Sequence, residues 1–529
     1  MTLRLAAALF ALWACAHPAT AATVTRFEVG PWPVVSQLIG YRDRLWFANS
    51  VKGVNHNSAD LYSVALTGGA PRYERHLFSQ DAGDPVVHRG LLYWPHEDAR
   101  TEPGIGTFEV TDGTRWEQGE IPTERAFHVH AMAEANGALY AAPSAWKGSI
   151  ARSRDGGATW ESLYVHPTPE RRVSRITTLA ALGEQVFGTL RAPEGRQLIR
   201  VDDGSGAPVP GWPKETGQAG FAAHEGWLYG LVTGDSAAAL WRTDGARSDR
   251  VWTAPEGWHP AALATDGKHL WMAGTRDGDA FVWRSTGARS WEPIARLDGG
   301  TPWSMTVHRG VIAVGGEARS GVGVLWLIAE GPVQEPRPAE PQWPALAAAS
   351  NNTIDWRAEA EALDALLADA GSYATYGVPL RRRVARLPRT EVPEEFYSDR
   401  VAAPMPAEPL RMFGNIVLPS MADMGRWRVY WGMGLARSGR VRPEDVLRPA
   451  DYAPNGPMKF FSTAEIAMWA AGRLGHADRD LLDALIRRLE DADTPLWLKG
   501  DAVGALTAIT GRRFGYDSVA WRIWFDERP

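Results

Sequence analysis

A short apolar segment with an aromatic residue recurs along the first two-thirds of the chain. Its aligned aliphatic positions are Leu45, Leu92, Leu139, Val186, Leu228, Leu270 and Ile312. Successive copies therefore lie 47, 47, 47, 42, 42 and 42 residues apart. A period of about 40 to 50 residues with several short strands in each unit is typical of β-propeller blades. The pattern predicts a seven-bladed β-propeller over residues 22–330.

The two ends of the repeat predict how the ring closes. The seventh unit supplies a strand at 303–307, a second at 311–315 and a third at 322–329, but no fourth. Residues 24–29 alternate as a strand and belong to no complete unit. Unpaired sheet edges leave backbone groups without partners. We therefore expect 24–29 to pair with 322–329 as the fourth strand of the last blade.

Turn residues separate the later strands of several units. Asp112-Gly113, Asp202-Asp203-Gly204 and Asp244-Gly245 supply the positive φ that tight hairpins need. In the third unit the turn reads Ser153-Arg154-Asp155-Gly156-Gly157-Ala158-Thr159-Trp160. A partial second copy of this turn is found at Ser285-Thr286-Gly287 and Ser290-Trp291. The hairpin of the third unit resembles the Asp-box, or bacterial neuraminidase repeat, whose pattern is S-x-D-x-G-x-T-W.

The resemblance implies a fold more than an activity. In that family the box lies between the outer two strands of a blade, away from the central ligand site. Five positions are accordingly expected to be structural: Ser153, Asp155, Gly157, Thr159 and Trp160. Sialidases of this family also carry an Arg-Ile-Pro motif on the first blade. Here the corresponding stretch, residues 33–37, contains no arginine, which argues against sialidase activity.

Beyond the repeat the spacing of apolar residues changes from every second residue, as in a strand, to every 3.6 residues, as in an α-helix. Residues 330–342 contain four prolines, and a linker is predicted over 331–350. An all-α domain is predicted over 351–529, with helices at 354–370, from the capping box Ser462–Glu465 to Leu474, at 478–489 and at 496–509. The Pro- and Arg-rich stretch 375–455 receives no assignment.

The last 70 or so residues resemble the end of a bacterial HEAT-like repeat array. The resemblance rests on 506–511, 514–517 and 521–524. It implies a surface that binds a partner protein rather than a catalytic site. The alternative is that these helices cap the propeller.

The N-terminus is typical of a secretory signal. Arg4, the apolar run 5–14 and Ala19-Thr20-Ala21 predict a signal peptide over 1–21, and hence a periplasmic or secreted protein. A distorted lipobox ending at Cys15 is the alternative, which would make the protein a lipoprotein. Without Cys15 the mature chain contains no cysteine, which excludes disulfides and thiolate metal sites. No later segment has the length of a membrane span.

Composition and motifs narrow the function classes. The net charge of −6 gives no reason to expect nucleic acid as a partner. The chain contains no phosphate-binding loop, nucleophile elbow, H-E-x-x-H or Cys/His zinc spacing. We therefore expect no catalytic residues, no cofactor and no metal.

Candidate ligand-binding residues follow from the alignment of the units. Eleven residues before each aliphatic position, the chain should begin an innermost strand at the mouth of the central channel. These positions are Val34, Asp81, His128, Arg175, Gly217, His259 and Thr301. The polar members Asp81, His128, Arg175 and His259 are candidates because ligands bind in such concavities. We expect His128, Arg175 and His259 to converge in one pocket, and the lone His128-Val129-His130 pattern to be packing or solvated surface.

Basic residues also recur in the loops that follow the second strand of each unit. They are Lys52, Arg100, Lys147, Arg191, Arg276 and Arg319. Trp146 and Trp303 near the same mouth could stack on a sugar ring. These positions are consistent with an anionic or glycan ligand.

Two functions from different classes remain. The first is an exported, non-enzymatic binding or scaffold protein of the cell envelope, whose helical domain contacts a partner. The second is a glycan-active hydrolase or lyase with a sialidase-like propeller, in which Asp81, Glu97 or His128 acts as acid or base. Glycoside hydrolysis usually needs two carboxylates about 5 to 10 Å apart, which Asp81, Asp84, Glu97 and Asp98 could supply. The absence of a catalytic motif favours binding.

Overall fold

A computed structural model describes most of the repeat region and the C-terminal helices. The described residues are 22–52, 58–99, 106–123, 126, 128–144, 147–169, 172–202, 204–214, 217–233, 237–287, 289–329, 340–346, 441–449 and 463–528. The predicted signal peptide, Arg100, Trp146, the helix at 354–370 and most of 375–455 lie outside them.

Within this part the chain forms antiparallel strands from Thr23 onward. They are β1 (Thr23–Val29), β2 (Val34–Tyr41), β3 (Arg44–Ser50), β4 (Asp60–Ala65), β5 (Arg72–His76), β6 (Ser79–Ala82), β7 (Val86–His88), β8 (Leu91–Ala99), β9 (Gly106–Thr111), β10 (Trp116–Ile121), β11 (His128–Ala135), β12 (Ala138–Ser144), β13 (Ser149–Ser153), β14 (Glu161–Val165), β15 (Arg175–Leu182), β16 (Gln185–Ala192), β17 (Gly195–Asp202), β18 (Ser205–Pro208), β19 (Gly217–His224), β20 (Trp227–Thr233), β21 (Ala239–Thr243), β22 (Ser248–Thr253), β23 (Trp258–Thr265), β24 (Leu270–Arg276), β25 (Asp279–Gly287), β26 (Ser290–Leu297), β27 (Gly300–His308), β28 (Val311–Ala318) and β29 (Gly323–Ala329).

The strands are arranged as a β-propeller. The described residues form five four-stranded sheets, β2–β5, β15–β18, β19–β22, β23–β26 and β27–β29 with β1, and one nine-stranded sheet. The first strands of successive sheets contact one another: β11 with β15, β15 with β19, β19 with β23, β23 with β27 and β27 with β2. These first strands are therefore innermost, and each following strand lies farther out.

The ring closes as the sequence predicts. Strand β1 pairs antiparallel with β29 in continuous register, from Thr23 opposite Ala329 to Val29 opposite Gly323. It becomes the outermost strand of the sheet β27–β28–β29. The first and last strands of the propeller are thus joined by backbone hydrogen bonds, and β29 is paired on both sides, with β28 and with β1.

The second unit differs from the regular repeat. Its first strand is divided into β6 and β7, and the intervening Gly83 and Asp84 approach β11. The Asp84 N–H donates to the His130 carbonyl at 2.9 Å, and the Met132 N–H donates to the Asp84 carbonyl at 2.9 Å. Strand β8 then pairs with β11 through Glu97 and His128, which joins the second and third units into the nine-stranded sheet.

Five helices are described in the C-terminal part. They are α1 (Pro443–Val446), α2 (Thr463–Leu474), α3 (Arg479–Glu490), α4 (Leu496–Thr510) and α5 (Ser518–Asp526). The bounds of α2, α3 and α4 agree with the sequence prediction within one residue. Asp478 caps α3 by accepting from the N–H groups of Asp480 and Leu481. None of the helices among the described residues is long and apolar enough to cross a lipid bilayer.

The helices share a hydrophobic core with the propeller. Buried side chains of α2, α3 and α4 belong to the same cluster as Tyr62 and Tyr73 of the first sheet and Leu325 of the closing sheet. The contact is close at Gly504 of α4, where an added Cβ would lie 2.8 Å from the Phe78 ring. A single apolar core therefore connects the closing sheet, the first sheet and the helices.

A buried polar network lies within this interface. The His76 ring is fully buried, with Nδ1 2.8 Å from Asp60 Oδ1 and Nε2 3.6 Å from Asp501 Oδ1. Asp60 Oδ2 also accepts from Trp32 Nε1 and from the Tyr516 hydroxyl, each at 2.7 Å. Burial alone would lower the pKa of His76, but the neighbouring carboxylates of Asp501 and Asp60 outweigh it and raise the pKa from 6.5 to about 9.

Deletion of residues 23–29 is expected to lower the unfolding midpoint of the whole propeller, because it removes the backbone pairing that closes the ring. Thermal unfolding followed by far-UV circular dichroism measures this. Arg26→Ala is the matched control, since it removes only an exposed ion pair with Glu28, worth about 0–1 kcal/mol. A truncated protein that melts like the full chain would contradict the closing role of β1.

The buried histidine predicts a stability change with pH. A histidine whose pKa rises from 6.5 to about 9 on folding stabilises the protein fully below pH 6.5, and this contribution is lost as pH rises through 9. The loss should be about 3 kcal/mol. Urea unfolding at pH 6, 7.5 and 9 measures it, with His76→Gln as the variant. His269→Gln is the control, because the side chain of His269 is 40% exposed. A His76→Gln protein with the same pH slope as wild type would refute the assignment.

Candidate functional site

The same cross-strand pair recurs in every unit at one end of the innermost strand. Each pair joins residues 16 apart in sequence, one on the first strand and one on the second. The pairs are Val34 with Ser50, Asp81 with Glu97, His128 with Ser144, Arg175 with Arg191, Gly217 with Thr233, His259 with Thr275 and Thr301 with Glu317. Directly opposed residues project from the same face of a sheet. The predicted channel-mouth positions are therefore equivalent in register.

A β-bulge follows this pair in most of the innermost strands. The register shifts after Ser36, Val129, Ile176, Ala219, Pro260 and Pro302. A bulge bends its strand and changes the direction in which nearby side chains project. In β11 the bulge lies between Val129 and Met132 and so includes His130.

Acidic residues and histidines meet where the second and third units join. Glu97 of β8 lies opposite Asp81 of β6 on one side and opposite His128 of β11 on the other. The Asp81 carboxylate is buried, forms an ion pair with Lys52 and accepts from the Ala82 N–H at 2.9 Å. Asp81 is thus held by protein groups, whereas the Glu97 side chain keeps 29% of its surface exposed.

Glu97, His128 and His130 form a compact cluster. One ligating atom from each side chain lies within 4.8 Å of the other two, and His130 Nδ1 is 3.6 Å from Glu97 Oε1. The two imidazole rings stack with centroids 4.9 Å apart. All three side chains are partly buried. Two imidazoles and a carboxylate are suitable ligands for a divalent transition metal.

The segment Gly83–Asp84, which lies between β6 and β7 and contacts β11, supports this cluster. A Cβ on Gly83 would lie 2.4 Å from the His130 carbonyl oxygen, so only glycine allows the approach. Burial raises the pKa of the Asp84 carboxyl to about 6, with Lys52 opposing this shift and Asp81 adding to it. The close contact at Gly83 and the hydrogen bond from the Asp84 N–H therefore fix the backbone of His130.

Three arginines stand side by side in the fourth unit. Arg175 of β15 lies opposite Arg191 of β16, and Arg191 lies opposite Arg196 of β17. No described carboxylate forms an ion pair with Arg191 or Arg196, and the nearby Glu194 instead lies 2.9 Å from His166 Nε2. Like charges directly opposed across strands are destabilising by themselves, so this row is a candidate anion site.

The other predicted residues that the structure describes are exposed. His259, Lys147 and Arg319 are exposed, and Trp303 keeps 46% of its surface exposed. Arg276 lies 5.7 Å from the Trp258 ring and 3.6 Å from Asp277 Oδ2. His128 has Glu97 and His130 as neighbours, and the convergence of His128 with Arg175 and His259 stays a prediction.

The Ser153–Trp160 hairpin connects the outer strands β13 and β14. Asp155 Oδ1 accepts from the Ser153 hydroxyl at 2.8 Å and from the Thr159 N–H at 2.9 Å. The Ser153 hydroxyl oxygen accepts from the Gly157 N–H at 2.7 Å, and Trp160 Nε1 donates to the Gly157 carbonyl at 3.0 Å. These side chains are engaged in holding the turn. The stretch 285–291 differs, because Gly287 pairs directly with Ser290 in a tighter hairpin.

The sequence identified most of the candidate residues but not the residues that contact them. Arg196 was not selected, although the hairpin that begins after Arg191 places it opposite that residue. Glu97 was selected only as a possible acid or base, because nothing local connects it with a histidine 31 residues later. Asp501 and His76 meet only through the packing of α4 on the propeller.

Comparisons with known proteins find only distant structural similarity. No family model matches the sequence, and no curated protein matches it. The WD40 β-propeller domain of Doa1 is similar at 11% identity and a TM-score of 0.39, over 59% of this chain and 98% of that one. The β-propeller domain of the Trilobed protease from Pyrococcus furiosus is similar at 11% identity and a TM-score of 0.40, over 59% and 100%. The extracellular domain of the hybrid two-component system BT4673 from B. thetaiotaomicron is similar at 14% identity and a TM-score of 0.41, over 58% of this chain and 39% of that one.

Proposed function

We propose that this chain is an exported, non-enzymatic binding protein of the cell envelope whose propeller binds an anionic ligand, such as an acidic glycan. The observation that carries the proposal is the row Arg175, Arg191 and Arg196 on adjacent strands. It begins at the channel-mouth position of the fourth unit, where propellers commonly bind ligands.

The chemistry of the row suits an oxyanion. Guanidinium groups present several N–H donors in a plane and bind carboxylate, sulfate or phosphate groups through paired hydrogen bonds. Bringing three positive charges together has an electrostatic cost, and a bound anion would offset it. The exposed cations Lys147, Arg276 and Arg319 add positive charge, and the exposed ring of Trp303 offers an apolar face on which a sugar could stack.

We propose that the propeller has seven blades. Seven equivalent strand pairs with one internal spacing support this number, with the nine-stranded sheet counted as two blades joined by Glu97 and His128. The hydrogen bonds of Asp155 and Ser153 support an Asp-box role for that hairpin, which would make its residues structural.

Export is the second part of the proposal. Its support is the N-terminal pattern of Arg4, an apolar run and Ala19-Thr20-Ala21. Strand β1 begins at Thr23, directly after the predicted cleavage site, so cleavage would leave the closing strand intact. Attachment through Cys15 stays the alternative.

The glycan hydrolase alternative depends on a pair of carboxylates. Asp81 and Glu97 are opposed, but Asp81 is buried and paired with Lys52. A carboxylate held in this way is poorly placed to exchange protons with a substrate. This favours binding over catalysis.

The helical domain has two proposed roles. A HEAT-like surface would contact a partner protein, as the sequence resemblance implies. The shared core and the Asp60–His76–Asp501 network instead favour a role as a cap on the first sheet.

Replacing Arg191 or Arg196 by alanine is expected to weaken binding of acidic oligosaccharides about 10-fold or more, because a hydrogen bond to a charged group contributes about 1.5–3 kcal/mol. Isothermal titration calorimetry at low salt, with sulfated, uronic-acid and neutral oligosaccharides as probes, measures this.

Arg296→Ala is the matched control, since Arg296 lies on β26 and is already paired with Asp279. It should bind like wild type. Unchanged affinity in Arg191→Ala and Arg196→Ala would refute the arginine site, and equal binding of neutral and acidic probes would refute the ligand class.

A further inference from the structure

We propose that Glu97, His128 and His130 form a binding site for a divalent transition metal ion, with zinc as the best-suited ion. The sequence alone predicts no metal, because a single H-x-H pattern has no third ligand nearby. The pairing of β8 with β11 supplies that ligand, because it places Glu97 directly opposite His128.

The distances suit such a site. Two ligands bound about 2.0–2.1 Å from a tetrahedral zinc ion lie about 3.3 Å from each other. His130 Nδ1 and Glu97 Oε1 are 3.6 Å apart, and all three ligating atoms lie within 4.8 Å of one another. The two imidazole rings are stacked 14° from parallel, so binding requires them to rotate until one nitrogen of each faces a common ion.

The surroundings hold the ligands in position. His130 lies in the bulge of β11, and its carbonyl accepts from the Asp84 N–H at 2.9 Å. His128 and Glu97 are fixed by the pairing of β11 with β8 and with β12. Asp81 lies on the other side of Glu97, and its charge is paired with Lys52.

Three protein ligands leave room for another ligand. Structural zinc sites usually have four protein ligands, whereas sites with three leave a position for water or a bound group. The exposed fraction of Glu97, 29% of its side chain, indicates access from solvent. The site is therefore suited to hold an ion that contacts a further oxygen ligand. The proposed metal site lies in a different sheet from the arginine row, so the metal proposal does not depend on the proposed anion site.

The test uses the protein without a histidine tag, stripped with EDTA and desalted. We expect it to bind one equivalent of Zn²⁺ in calorimetry, and Co²⁺ to give visible d–d absorption that Zn²⁺ displaces. His128→Gln, His130→Gln and Glu97→Gln should each reduce the affinity by roughly 100-fold or more, since even the outer partners of metal ligands contribute about 10- to 100-fold.

His269→Gln is the matched control, because His269 lies between β23 and β24, is not a candidate ligand-binding residue and has Asp266 as its neighbour. It should bind Zn²⁺ like wild type. Thermal unfolding in EDTA identifies any variant that fails to fold, and Zn²⁺ should raise the unfolding midpoint of wild type and His269→Gln only. The proposal is overturned if His130→Gln or Glu97→Gln still binds one equivalent of Zn²⁺, or if His269→Gln loses as much affinity as they do.

Discussion

The pairing of β1 with β29 is the interaction on which the rest of the propeller depends. Seven consecutive register pairs, from Thr23 with Ala329 to Val29 with Gly323, join the beginning of the repeat to its end. The sheets pack face to face around a ring, so each innermost strand is positioned by its neighbours on both sides. If this pairing opened, two sheet edges would be exposed and the register positions at the channel mouth would lose their common alignment.

The first sheet connects this closure to the helices. Strand β2 contacts the closing sheet, while β5 contacts α4, and one hydrophobic cluster includes all three parts. Within that cluster the Asp60–His76–Asp501 network is fully buried. Buried charged groups are tolerated only when they are paired and hydrogen-bonded, so the relative position of α4 and the first sheet is specified by polar geometry as well as by apolar packing. The C-terminal helices therefore contribute to the stability of the propeller.

The channel-mouth positions carry two different kinds of chemistry. The fourth unit presents a row of arginines, whereas the joined second and third units present a carboxylate and two histidines. Both include a residue at the same register position of the innermost strand, Arg175 in the fourth unit and His128 in the third. A propeller can thus hold an anion at one blade and a cation at another on a single scaffold.

The sequence by itself determined the strands, the closure and the positions of the candidate residues. The 47- and 42-residue spacings are set by strand and turn lengths, and these are local properties that the sequence shows directly. Only the tertiary structure decided which distant side chains contact the candidate residues. Glu97 meets His128 because β6 and β7 are interrupted at Gly83 and Asp84, and His76 meets Asp501 because α4 packs on the first sheet. These contacts join residues far apart in the chain, and no local pattern encodes them because they depend on how separate elements pack.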